Sequence, residues 1–66
     1  MKILLNGDFA ETAEGASIAS LLQQLDISRE RVAVELNSDI IPKSDYENRL
    51  LCDGDKIEIV HFVGGG

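Results

Sequence analysis

Three consecutive glycines, Gly64, Gly65 and Gly66, close the 66-residue sequence and account for half of its six glycines. Without a Cβ, glycine takes backbone angles closed to other residues and passes a channel too narrow for side chains. Three extended residues reach about 10 Å. Such a tail could carry the carboxylate of Gly66 into the active site of another protein while a folded body stays outside. The plain alternative is a frayed end that does nothing. Ordering each tail residue costs roughly 1–2 kcal/mol, so the tail alone would bind poorly and the body must supply a compensating contact.

The residues placed to supply it precede the tail, in the apolar run Val60-His61-Phe62-Val63. Alternation along a strand that buries Ile57 and Ile59 sends Val60 and Phe62 to the opposite face. Val60, Phe62 and Val63 are therefore the candidate partner-docking residues, against the alternative that Phe62 finishes the core. The other reactive side chains make no constellation. His61, the only histidine, has no Ser or Cys at a catalytic spacing and is expected as a half-exposed strand residue. Cys52, the only cysteine, is expected as a small core hydrophobe. Asp53-Gly54-Asp55 has too few ligands for a calcium loop and is expected as a turn. Gly7, Gly15 and Gly54 do not form a phosphate-binding pattern. No catalytic residue and no metal ligand is assigned.

The elements that must position the tail are few. A chain of this length makes one domain, burying about 60% of its unfolded surface and leaving no room for a deep substrate pocket. With 44% hydrophobic and 27% charged residues the balance is globular, and the formal net charge of −6 favours encounter with basic surfaces. Six Lys and Arg spread along the chain build no basic patch, and no apolar run approaches the roughly 20 residues of a membrane span. Nucleic acid and membrane are thus not expected as partners. The opening MKILLNGD lacks the pattern of a secretory signal, which places the protein in the cytoplasm as an expectation.

Lys2 to Asn6 alternates, and Asn6-Gly7 is a hairpin turn pair returning the chain through Phe9 to Thr12. Ser17 can cap a helix whose apolar face is Ile18, Leu21, Leu22 and Leu25. Arg31 to Asn37 reverts to a period of two, with Val32, Val34 and Leu36 on one side. Asn37-Ser38-Asp39 turns into a short Ile40-Ile41 piece ended by Pro42. Ser44 and Glu47 fit a capping box for one irregular helical turn. Asp53-Gly54-Asp55 then leads into a last strand, Lys56 to Phe62. The crossover is long enough for that strand to run beside the first. The fold class expected is α+β, a mixed four- to five-stranded sheet on one main helix, with a domain at 1–63 and a tail at 64–66.

Three stretches, Ile3-Leu4-Leu5-Asn6-Gly7, Val34-Glu35-Leu36-Asn37 leading to Ile40-Ile41-Pro42, and Asp53-Gly54-Asp55-Lys56-Ile57-Glu58-Ile59-Val60-His61-Phe62-Val63-Gly64-Gly65-Gly66, give the whole chain a resemblance to the ThiS family, the sulfur carriers of thiamine biosynthesis, within the ubiquitin-like β-grasp fold. The resemblance implies a protein co-substrate rather than an enzyme. A ThiF-like adenylating enzyme related to the ubiquitin activators (an E1-like enzyme) would use ATP and magnesium to convert the Gly66 carboxylate to an acyl-adenylate. Sulfur from a cysteine desulfurase or another sulfur donor would displace AMP, and the thiocarboxylate would give its sulfur in a ThiG-like thiazole synthase. Gly65 and Gly66 match the functional pair of the family, and Gly64 adds reach. The rivals are the small subunit of molybdopterin synthase, a ubiquitin-related modifier, and a plain interaction module whose tail is idle. A [2Fe-2S] ferredoxin shares the fold but needs four cysteine ligands.

Overall fold

The computed structural model describes residues 1–62. Val63 and Gly64 to Gly66 lie outside that range, and the expected division into a 1–63 domain and a 64–66 tail turns on them. Strands β1 (Lys2–Leu5), β2 (Asp8–Glu11), β3 (Val32–Leu36), β4 (Asp39–Ile40) and β5 (Lys56–His61) form one sheet in the order β2-β1-β5-β3-β4. β5 runs parallel to β1 and antiparallel to β3, so the last strand is central. The outer hairpins β1–β2 and β3–β4 are antiparallel.

Each turn follows from its residues. Asn6 (φ 48°) and Gly7 (φ 87°) are both left-handed and link the opposed pair Leu5 and Asp8, as the two-residue turn that matches strand twist requires. Helix α1 (Ile18–Gln24) begins at Ser17, whose side chain accepts the Ser20 amide at 3.1 Å while Ser20 Oγ accepts the Ser17 amide at 2.8 Å. At its end Asp26 takes φ 58°, and the Asp26 and Ile27 amides donate to the carbonyls of Gln23 and Leu22. This is the double bond pattern that usually calls for glycine, here carried by an aspartate.

The core lies between α1 and the inner sheet face. Ile18, Leu21 and Leu22 meet Ile3, Val32, Val34, Leu36, Ile57 and Ile59, with Tyr46 and Leu51 from the crossover. Full burial of each large aliphatic contributes about 1.5–3 kcal/mol. The expected inward set of the strands is the buried set, and Leu25 packs half-buried at the helix end.

Two expectations need correction. Cys52 is exposed, because the adjacent Leu51 takes the core position and the Leu51 amide bonds the Ala16 carbonyl at 2.8 Å. The Ser44–Glu47 capping box does not form. Lys43–Asp45 is a single 3-10 turn entered through Pro42 without a side-chain cap, and Glu47 instead pairs with Arg29. The Arg29 guanidinium holds the Glu47 carboxyl below its ordinary value, and Glu47 raises that of Arg29 in return. Burial pushes the Tyr46 phenol up, and a backbone hydrogen bond with Val34 offsets part of that rise.

Candidate functional site

The candidate site is the far end of β5, where the chain leaves the sheet toward the glycines. β5 starts from a turn whose carboxylates are spent on backbone amides and the Asn37 side chain. Asp55 accepts the Cys52 amide at 2.7 Å and Asn37 Nδ2 at 3.1 Å, and Asp53 accepts the Lys2 amide at 2.8 Å. Asn37 Oδ1 accepts the Lys56 amide at 2.9 Å. These bonds fix where β5 begins. Among the described residues no three of His, Cys, Asp or Glu gather in a way that could hold a metal ion.

Register decides what the end of β5 displays. Ile57 and Ile59 are buried on the helix side, as expected. Val60 stands opposite Ala33 on the outer face and is 54% exposed. Phe62, one residue past β5, donates its amide to the Arg31 carbonyl at 2.9 Å. Its side chain is 59% exposed, so Phe62 does not finish the core. The Lys43 ammonium sits 5.2 Å from the ring centre and donates to the Val32 carbonyl at 3.1 Å, which ties the ring to the end of β3. His61 is exposed on β5 opposite Val32. Of the predicted site residues, Val60 is exposed on the outer face and Phe62 is exposed two residues further on, while Val63, Gly64, Gly65 and Gly66 lie outside the described residues.

The same face carries more apolar surface than the sequence reading marked. Phe9 (77% exposed) pairs with Leu4 at one edge of the sheet, and Ile40 (73% exposed) pairs with Glu35 at the other. Glu35, Lys56 and Glu58 are interleaved on that face through the pairs Glu35↔Glu58 and Leu4↔Lys56. The signal was present in the sequence as Phe9 and Ile40 alternating out of phase with the core, but only the register places them on one surface with Val60. A concavity lies on the helix side, lined by Ser20, Gln23, Asp26, Arg29 and Glu47 among others, and shares no residue with the end of β5.

Asn6 is the residue here that the sequence reading missed. Its turn role was legible, but its side chain also reaches β5. Asn6 Oδ1 accepts the Ile59 amide at 2.7 Å and Asn6 Nδ2 donates to the Ile59 carbonyl at 3.2 Å.

Comparison with known proteins places this arrangement in a family. Residues 3–66 match the model of the ThiS family. The chain is similar to the sulfur carrier protein ThiS of Bacillus subtilis, 46% identical over 63 residues that cover 94% of this chain and 96% of that protein. It is 42% identical over 66 residues to a thiazole synthase of Paramagnetospirillum magneticum, of which it spans only 20% of the length. The crystal structure of the thiamine biosynthesis protein ThiS from Geobacter metallireducens superposes over 100% of both chains with a TM-score of 0.86 at 32% identity. A full-length match in sequence and in topology, with the β-grasp sheet order and the glycines inside the matched span, leaves one assignment: the chain belongs to the ThiS family.

Proposed function

We propose that Gly66 is the working residue of this carrier, adenylated and then converted to a thiocarboxylate that supplies the sulfur of a thiazole. The observation that carries this reading is that the family match runs to residue 66 and so includes Gly64, Gly65 and Gly66. In the first step the Gly66 carboxylate attacks the α-phosphorus of ATP, pyrophosphate leaves, and the poor leaving group of a carboxylate becomes AMP. The terminal sulfur of a desulfurase persulfide, or a sulfide-level donor, then displaces AMP at the carbonyl carbon; the acyl disulfide that a persulfide leaves is cleaved by a thiol, which ends as a disulfide with the donor cysteine and releases the thiocarboxylate. The thiocarboxylate is ionised at neutral pH, and the thiolate form is the nucleophile. ATP and magnesium belong to the E1-like activating enzyme, and this chain holds no cofactor of its own.

The acceptor is a ThiG-like thiazole synthase. Support comes from the thiazole synthases of Paramagnetospirillum magneticum and Magnetococcus marinus, each of which contains a stretch that aligns with the whole of this chain. Partners dock on Val60, Phe62 and Val63, since the exposed pair Val60 and Phe62 stands at the last described step before the glycines. The cycle runs in the cytoplasm; among the described residues no helix is long and apolar enough to cross a membrane.

Intact mass after incubation with the activating enzyme, ATP and a sulfur donor tests the reading. The full chain is expected to gain the mass difference of sulfur over oxygen, and a chain lacking Gly66 is expected to stay unchanged. An unmodified full chain beside an enzyme active on its own carrier would overturn it.

A further inference from the structure

We propose that Asn6 is a positioning residue for the tail, holding β5 in the sheet beyond the point where β1 has turned away. Odd-numbered residues of β5 direct their backbone groups toward β1: the Leu4 amide donates to the Asp55 carbonyl and the Asn6 amide to the Ile57 carbonyl, both at 2.9 Å. The next position is Ile59, but β1 has ended and the chain reverses through Asn6 and Gly7 into β2. The Asn6 side-chain amide fills the gap. It offers one acceptor and one donor, as a peptide group does, and binds the Ile59 N–H at 2.7 Å and the Ile59 C=O at 3.2 Å. One side chain thereby stands in for the missing residue of β1, across 53 positions of sequence.

The consequence falls on the site. Val60, His61 and Phe62 follow directly, and beyond Asn6 the strand is paired on its β3 side, through Ala33 and the Arg31 carbonyl. With Ile59 released, the root of the tail would have to be ordered again at each docking. Re-ordering a single residue is worth about a factor of ten in affinity. The proposal rests on the carrier reading for its functional half only; the clamp itself is a property of the fold.

Asparagine suits a left-handed turn position in any case, so the turn role must be separated from the clamp. Asn6→Gly does this, because glycine accepts φ 48° at least as well and has no amide to bind Ile59. Asn6→Asp is the second variant. It keeps an acceptor for the Ile59 N–H and loses the donor to the Ile59 C=O.

Amide hydrogen exchange on the full chain reads the clamp as the ratio of Ile59 to Leu4 exchange, two amides of the same ladder. In Asn6→Gly the ratio is expected to rise about tenfold or more, and in Asn6→Asp to stay near the unsubstituted value. With the activating enzyme and ATP, Asn6→Gly is expected to raise the KM for the carrier about tenfold with kcat held, and Asn6→Asp to lie between. An unchanged exchange ratio in Asn6→Gly overturns the clamp. A raised ratio with an unchanged KM overturns the positioning role. If the unsubstituted chain is not adenylated at all, the carrier reading fails and the positioning role with it, while the exchange ratio still decides the clamp.

Discussion

Replacing Phe62 by alanine should leave the fold nearly intact and weaken docking, and the exposure and contacts of the side chain set the size of the first effect. The side chain is 59% exposed, so about two fifths of its surface is covered. Full burial of a phenylalanine is worth about 1.5–3 kcal/mol, which puts the covered part near 1 kcal/mol. The Lys43 ammonium lies 5.2 Å from the ring centre, and at an exposed site such a contact adds about 0.5–1 kcal/mol. The amide bond from Phe62 to the Arg31 carbonyl survives the substitution. The expected loss of stability is therefore about 1–2 kcal/mol, against the about 3–5 kcal/mol of a buried phenylalanine truncated to alanine. An aromatic anchor of an interface costs about 2 kcal/mol or more, which is roughly a 30-fold rise in KM for the activating enzyme. Urea unfolding followed by far-UV circular dichroism measures the first quantity, and the rate of adenylation over a range of carrier concentrations measures the second. A stability loss above about 3 kcal/mol would make Phe62 a core residue after all. A KM within twofold of the unsubstituted chain, at the expected stability, would refute the docking role.

Tyr46 gives a pH dependence. Burial raises the phenol of the folded chain above its ordinary value, so above about pH 10 the unfolded chain releases a proton that the folded chain keeps, and stability falls as pH rises; Tyr46→Phe should lose that alkaline slope, as read from urea midpoints at about pH 8 and about pH 11. Asp55→Ala should cost about 1.5–3 kcal/mol, because it strips the Cys52 amide and Asn37 Nδ2 of a charged acceptor. Asp55→Asn, which keeps an acceptor oxygen, should recover part of that loss in the same urea titration.

What was legible in the sequence was local and periodic. Val32, Val34 and Leu36 repeat every second residue, as do Ile57 and Ile59, and a sheet with one covered face leaves a single way to place them. Asn6-Gly7 and Ser17 announced a turn and a helix start because each acts on its own backbone or within three residues. The misses all involve partners far along the chain. Glu47 was read against Ser44, three residues away, but an Arg 18 residues earlier pairs with it. Cys52 was placed by its residue type, while its neighbour Leu51, tied to the distant Ala16 carbonyl, takes the core position and leaves Cys52 exposed. The outer patch of Phe9, Ile40 and Val60 needs three strand registers before it becomes one surface.

The length of β5 explains why side chains take over so much of its pairing. It has six residues, whereas β1 has four and β3 five, so neither neighbour can run its full length. Longer neighbours would need more core to cover, and a domain of this size has little to spare. Amide and carboxylate side chains solve this with single residues. Asn37 and Asp55 hold the entry to β5, and Asn6 holds its exit on the β1 side. Lys43 braces the aromatic that follows. Val60 and Phe62 both stay more than half exposed, Phe62 even with Lys43 over its ring, so these side chains stay available while the backbone beneath them is fixed. A partner that engages these two residues meets side chains on a backbone already in place. The roughly 1–2 kcal/mol per residue of backbone ordering then does not count against binding at those positions. Association on such residues gains in speed as well as affinity, because preformed contact residues do not have to be assembled at each encounter.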